Sequence, residues 1–111
     1  MGFIVKRGEK KVKWPVRVQE PVDGGKTEES EFIGHFVLLD QKEYDKAMKD
    51  KLSDPEFIKK FLKGWEGLTD EENTAIPFND ENIELLASLP YCRRALLTAY
   101  HEATSGIAVK N

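Results

Sequence analysis

The stretch from Gly64 to Gly106 constrains this chain most, because its apolar residues repeat with the period of an α-helix. Toward its end the spacing of three and four positions places six residues on one helical face: Cys92, Ala95, Leu96, Ala99, Tyr100 and Ala103. An apolar face of this kind must pack against something. The pattern therefore predicts a core-facing helix over residues 90–105, with Gly106 as its C-cap.

A shorter helix is predicted just before it, over residues 80–88. Asn79 is a favourable N-cap, and the acidic residues after it suit the positive end of a helix dipole. Leu89 precedes Pro90, and the residue before a proline is disfavoured in the helical conformation. The two helices are therefore expected to meet at a corner.

Two further helices are predicted in the middle of the chain, over residues 41–51 and 54–64. Asp40 and Glu43 have the spacing of a capping box, which marks the start of the first. The second carries a wide apolar stripe that ends at Trp65, and we expect this tryptophan to be an anchor of the core.

Before residue 40 the chain has the pattern of a sheet. Residues 3–6, 11–19 and 30–39 are predicted as strands, since apolar residues there alternate with polar ones or form a short continuous run. The polar residues 27–31 are predicted to form a mobile hairpin loop.

The strand over 30–39 is apolar on both faces, so it is predicted to be the central strand. Gly34 within it suggests a bulge or a close approach of another group. Pro15 lacks a backbone donor, so the strand over 11–19 is predicted either to lie at an edge of the sheet or to carry the proline at an outward, unpaired position.

Together these elements predict an α+β fold: a small antiparallel sheet of about three strands at the amino terminus, followed by three to four short helices. At 111 residues the chain is expected to be a single domain, β-rich over 1–40 and helical over 41–106, with a loose tail over 107–111. No apolar run approaches the roughly 20 residues of a membrane span, so no membrane association is expected.

The sequence contains none of the common enzyme, cofactor or metal motifs, so neither catalysis nor a cofactor is expected. His35 has no second histidine near it, which favours a structural role over metal binding. Cys92 is the single cysteine; we expect it to be buried, in a protein of a reducing compartment. The net charge of -3 argues against general nucleic-acid binding.

The charge is unevenly distributed. Residues 1–26 contain seven Lys or Arg and three Asp or Glu, whereas residues 64–92 contain seven acidic residues and no basic one. The candidate partner-binding residues are Glu71 and Glu72 in the acidic segment and Arg93 and Arg94 on the outer face of the last helix, although a solvated surface is the simpler interpretation of both groups. Opposite charges on two surfaces predict a salt-sensitive, head-to-tail homo-oligomer, with a monomer as the alternative.

Several short motifs follow one another in the second half of the chain: Trp65, an acidic loop with Gly67, Ile76-Pro77-Phe78, Asn79 to Asn82, Leu85-Leu86, Leu89-Pro90, Ala99-Tyr100, Ala103 and Lys110-Asn111. In this order they resemble the tail assembly chaperones of long-tailed bacteriophages. Trp14-Pro15-Val16, Asp23-Gly24-Gly25 and Phe36 to Glu43 resemble the β-containing members of the same family. The resemblance thus covers most of the chain.

This resemblance implies a virus-encoded protein without catalytic activity that works in the host cell cytoplasm. It would bind the tape measure protein, prevent aggregation of that protein's apolar stripes and help to recruit tail tube subunits. Two other classes remain open from the sequence: a structural phage protein, such as a minor tail or head-tail connector subunit, and a small regulatory binding protein.

Overall fold

The structure, a computed structural model, describes residues 2–106 of the chain. Its elements follow one another as β1 (Lys10–Val22), β2 (Lys26–Leu38), α1 (Gln41–Lys49), α2 (Asp54–Phe61), β3 (Leu62–Glu66), α3 (Asp80–Ser88) and α4 (Pro90–Ser105). The strands form one antiparallel sheet in the order β1-β2-β3. The predicted α+β class, with three antiparallel strands and four helices, is confirmed.

The identity of the third strand, however, was predicted wrongly. Residues 3–6 belong to no strand, and the third strand is β3, which the apolar pattern had assigned to the end of a helix over 54–64. The helix ends earlier because Leu62 adopts extended geometry (φ -92°, ψ 117°) and Gly64, a poor helix former, pairs with His35 of β2. The sheet is therefore completed only after two helices.

Residues 27–31 were also predicted wrongly, since they continue β2 instead of forming a mobile loop. Their polar side chains bind those of β1: the Gln19 amide donates to the Glu29 carboxylate at 2.6 Å, and Arg17 pairs with Glu31 at 3.4 Å. The polar residues here belong to a strand pair whose side chains are exposed, and they do not mark a loop.

The sheet confirms the predictions for β1 and β2. β2 is the central strand, and β1, which contains Pro15, is at an edge. A Cβ atom on Gly34 would lie 2.6 Å from the Phe36 ring, and the pairing with β3 is shifted between His35 and Phe36. Gly34 thus allows a close approach beside a bulge.

The core is formed where α2 and α4 pack on one face of the sheet. All six apolar residues predicted on the inner face of α4 are buried. The Phe61 ring of α2 stacks on the Tyr100 ring of α4 at 4.2 Å, and the Phe36 ring of β2 meets Phe61 edge-on at 5.3 Å. The Tyr100 hydroxyl accepts a hydrogen bond from the backbone N–H of Leu39 at 3.1 Å.

The helix ends that carry a capping or proline signal are confirmed as well, whereas α1, predicted over 41–51, ends at Lys49. Asp40 and Glu43 form the capping box of α1, and the Asn79 side chain caps α3. Leu89, with φ -91° and ψ 112°, separates α3 from α4, and Gly106 ends α4 in the left-handed conformation. The predicted tail, residues 107–111, lies outside the described residues.

Trp65 was expected in the core but is only half-buried, on β3. Its indole N–H donates to the Ile76 carbonyl at 2.7 Å, and its ring meets the Phe78 ring edge-on at 4.8 Å. Trp65 therefore packs at the margin of the core and also anchors the segment after β3. Within residues 2–106, no helix is both long and apolar enough to cross a membrane.

Replacing Tyr100 with phenylalanine tests the link between α4 and the end of the sheet. Tyr100→Phe leaves the part-buried N–H of Leu39 without its partner, and we expect a loss of about 1 to 2 kcal/mol in the free energy of unfolding, measured in urea. Tyr91→Phe is the matched control, because no described residue binds the half-buried Tyr91 hydroxyl. Equal losses in the two variants would contradict the assignment.

Candidate protein-binding surfaces

One face of the sheet is not part of the core. It carries Lys11 and Lys13 of β1, His35 and Val37 of β2, and Lys63 of β3, which line a shallow groove of about 610 Å³ together with Glu9. The lysines are exposed. We call this feature the groove and define it by these residues.

The groove combines an apolar floor with a basic rim. Val37 is buried and lies directly across the strand pair from Lys11. The long aliphatic part of a lysine can cover such a residue while its ammonium group remains in water. A partner with an apolar stripe and acidic flanks would therefore find complementary groups here.

An ion-pair cluster forms one side of the groove. His35 Nε2 lies 2.7 Å from Glu66 Oε2, and Lys13 Nζ lies 3.2 Å from the same oxygen. The hydrogen bond from His35, and then that from Lys13, holds the pKa of Glu66 below its usual value. His35 thus serves to order a carboxylate.

Gly64 makes room for this cluster. A Cβ atom at Gly64 would lie 2.7 Å from His35 Nδ1, closer than a real Cβ contact allows. The absence of a side chain lets the imidazole lie against β3 and reach Glu66. The glycine that ends the helical pattern therefore also shapes the groove.

The acidic segment forms a small finger, residues 67–78, whose two sides are joined by one β-bridge. Thr69 and Ala75 are bridged across it, and the Asp70 carboxylate accepts hydrogen bonds from the backbone N–H groups of Glu72 and Thr74. Glu71 and Glu72 are exposed, and no described residue binds their side chains. The finger thus presents two unpaired carboxylates.

The arginine pair is not joined to the finger. Arg93 Nε lies 3.3 Å from Asp54 Oδ2, which links α4 to the start of α2. Arg94 is exposed and forms no ion pair with a described residue. Of the four candidate residues, Glu71 and Glu72 lie side by side, Arg93 has a structural partner, and Arg94 is a separate surface charge.

The groove lysines were not among the candidate residues from the sequence. The alternation of Lys11 and Lys13 with Val12 and Trp14 was a usable signal, because it places both lysines on one face of β1. Lys63 had no such signal, because the residues around it continue the apolar spacing of α2. Its place in the groove follows only from β3.

The described surfaces have little reactive chemistry. Among residues 2–106, no group of three or more His, Cys, Asp or Glu is placed to hold a metal ion. Cys92 is buried, and burial raises the pKa of its thiol, which lowers the thiolate fraction at neutral pH. What the described residues offer is charge and apolar area on exposed surfaces.

These features are those of a small α+β domain with a basic, partly apolar groove and an acidic finger. The chain belongs to the phage tail assembly chaperone family, which it matches over residues 8–111. The resemblance found in the sequence is thereby confirmed. No curated protein and no solved structure matches the chain.

Adding a methyl group at Gly64 tests the close contact with His35. Gly64→Ala must displace the imidazole, and we expect a loss of roughly 1 to 2 kcal/mol in the free energy of unfolding. His35→Ala should remove most of this penalty when the two substitutions are combined. Gly2→Ala is the control, since a Cβ there meets nothing within 4 Å. An undiminished penalty in the double variant would contradict the contact.

The lowered pKa of Glu66 makes a prediction about pH. A carboxylate with a depressed folded-state pKa stabilises the native state above its unfolded value, 4.5, and loses that contribution as the pH falls through the folded value. Wild type should therefore be more stable than Glu66→Gln at pH 7, and the difference should vanish in acid. Thermal melts across this range measure it; a difference that persists below the folded pKa would rule out the ion pairs as its cause.

Proposed function

We propose that this chain binds the tape measure protein and helps to recruit tail tube subunits around it during tail assembly. It acts in the host cell cytoplasm by binding alone, without catalysis or a cofactor. The observation that carries this proposal is the family match over residues 8–111. The groove supports it, because it offers apolar area and charge on a sheet face that no helix of the core occupies.

The groove suits one stripe of a long helix. An amphipathic helix binds by laying apolar residues along a groove, with flanking charges that fix its orientation. Val37 would contact the apolar stripe, and Lys11 and Lys63 would pair with acidic residues beside it. Such contacts lie on an exposed surface and cover only a small part of the helix. This fits a chaperone that must dissociate from the helix when tube subunits arrive.

Self-association would let copies of the chain repeat along the long helix of the tape measure protein. Arg17 pairs with Glu31, and Lys11 and Lys13 belong to the groove, so the basic residues left for this contact at the start of the chain are Lys6, Arg7 and Lys10. The finger, with Glu71 and Glu72, is their acidic counterpart. We propose a head-to-tail homo-oligomer in which these two surfaces meet, because a contact between unlike surfaces can repeat.

Charge reversal in the groove tests the proposed binding site. The chain and a co-expressed tape measure protein should co-purify, and Lys11→Glu with Lys63→Glu should weaken the complex by roughly tenfold or more. Lys42→Glu with Lys49→Glu is the matched control, since both lysines are exposed on α1 and the net charge changes equally.

Equal binding by the two double variants would exclude the groove, and no binding by wild type would refute the proposed function. Purified virions provide a second test. A chaperone should be absent from them by mass spectrometry, whereas its presence in stoichiometric amounts would identify a structural tail protein.

Salt and charge reversal test the proposed oligomer. Light scattering should give a larger mass at low salt than at high salt, because exposed ion pairs are screened over about 8 Å at physiological ionic strength. Glu71→Lys with Glu72→Lys should reduce the mass at low salt, whereas Asp50→Lys with Glu81→Lys, also exposed, should not. A monomer throughout, or an oligomer indifferent to both changes, would contradict the proposal.

A further inference from the structure

Residues 2–7, which we call the arm, expose three large apolar side chains in succession. Phe3 is 89% exposed, Ile4 78% and Val5 77%. No hydrogen bond or ion pair joins the arm to the rest of the described chain. An exposed run of this kind is unfavourable in water unless another surface covers it.

The arm has the composition of a strand. Phenylalanine, isoleucine and valine all favour the extended backbone of a half-buried strand. The sequence pattern predicts a strand over 3–6, but within the described chain these residues pair with no other strand. A segment like this gains hydrogen bonds when it adds to the free edge of an existing sheet. The sheet here has two such edges, on β1 and on β3.

Charge selects the edge of β3. β1 begins with basic residues, Lys10, Lys11 and Lys13, which would repel Lys6 and Arg7 of the arm. β3 instead ends at Glu66 and leads into the acidic finger. Lys6 and Arg7 lie near these carboxylates only when the arm runs parallel to β3, with Arg7 opposite Glu66.

Side-chain alternation fits this register. With Arg7 opposite Glu66, Lys6 lies opposite Trp65 and Ile4 lies on the same face as Trp65. On that face the Phe78 ring packs against Trp65 and is still 39% exposed. Ile4 would therefore gain apolar neighbours beside the edge of β3.

The arm of the same copy cannot reach this position. Lys10 lies at the end of the sheet where β3 begins, because Val12, Phe36 and Leu62 are in one row across the three strands. A parallel arm ends at the opposite end of β3, some 20 Å away across the sheet, and the three steps from Arg7 to Lys10 span only about 10 Å. The partner must be a second molecule.

We propose that the arm of one copy adds as a parallel fourth strand to the free edge of β3 in a second copy. This inference rests on the self-association proposed above and supplies its contact. Because the arm and the edge of β3 are different surfaces, each copy can bind one neighbour and be bound by another, so the contact repeats and forms an open array or a closed ring.

Cysteine pairs test both the contact and its direction. A mixture of Phe3→Cys chains and Lys63→Cys chains should give roughly tenfold more disulfide-linked dimer than wild type, whose Cys92 is buried. In the parallel register Phe3 lies on the face of Glu66 and Lys63, close to Lys63. The matched mixture of Arg7→Cys with Lys63→Cys reports the antiparallel direction and should cross-link less. A chain that carries both Phe3→Cys and Lys63→Cys should link to other chains rather than to itself.

Three results would overturn the proposal: no excess of mixed dimer, stronger cross-linking of the Arg7→Cys pair, or a self-linked monomer from the doubly substituted chain. Tape measure binding by wild type is measured in parallel. If that binding fails while cross-linking succeeds, the proposed function is wrong and the arm contact remains. If it succeeds without cross-linking, only the arm contact is wrong.

Discussion

The stacked pair of Phe61 and Tyr100 is the contact on which the rest of the structure depends. It joins α2 to α4 with ring centroids 4.2 Å apart, and Phe36 of β2 meets both rings, so two helices are fixed to one face of the sheet. Aromatic contacts of this kind contribute beyond the area that they bury. With both helices on that face, the opposite face is left to the lysines, His35 and Val37.

The placement of β3 determines which surfaces are available for binding. Phe61 ends α2, and the chain passes directly into β3, whose Gly64 and Glu66 complete the groove beside His35. After β3, the bond from the Trp65 indole to the Ile76 carbonyl holds the base of the finger. One short strand thus positions the groove, the acidic finger and the free sheet edge together.

The sequence predicted the elements whose signals are local. Asp40 with Glu43, Asn79 and Gly106 marked helix ends correctly, because a cap depends on a few neighbouring residues. β3 was missed because its apolar residues continue the helical spacing of α2, and only pairing with β2 decides between the two structures.

The same limit applies to the candidate site. The acidic finger and the arginine pair were visible as runs of charge, but the ion pair from Arg93 to Asp54 joins residues 39 positions apart and has no local signal. The groove combines residues from three strands, so it could not be predicted while β3 was assigned to a helix. The phage tail family, in contrast, was recognisable because its motifs are short and ordered along the chain.

In our proposal the tape measure protein binds the uncovered sheet face. NMR titration of the ¹⁵N-labelled chain with a segment of that protein distinguishes this face from the rest of the surface. We expect the amide signals of Lys11, Lys13, His35, Val37 and Lys63 to shift together as the segment is added, while those of α4 do not. Shifts confined to α3 and α4, with the groove signals unchanged, would contradict it.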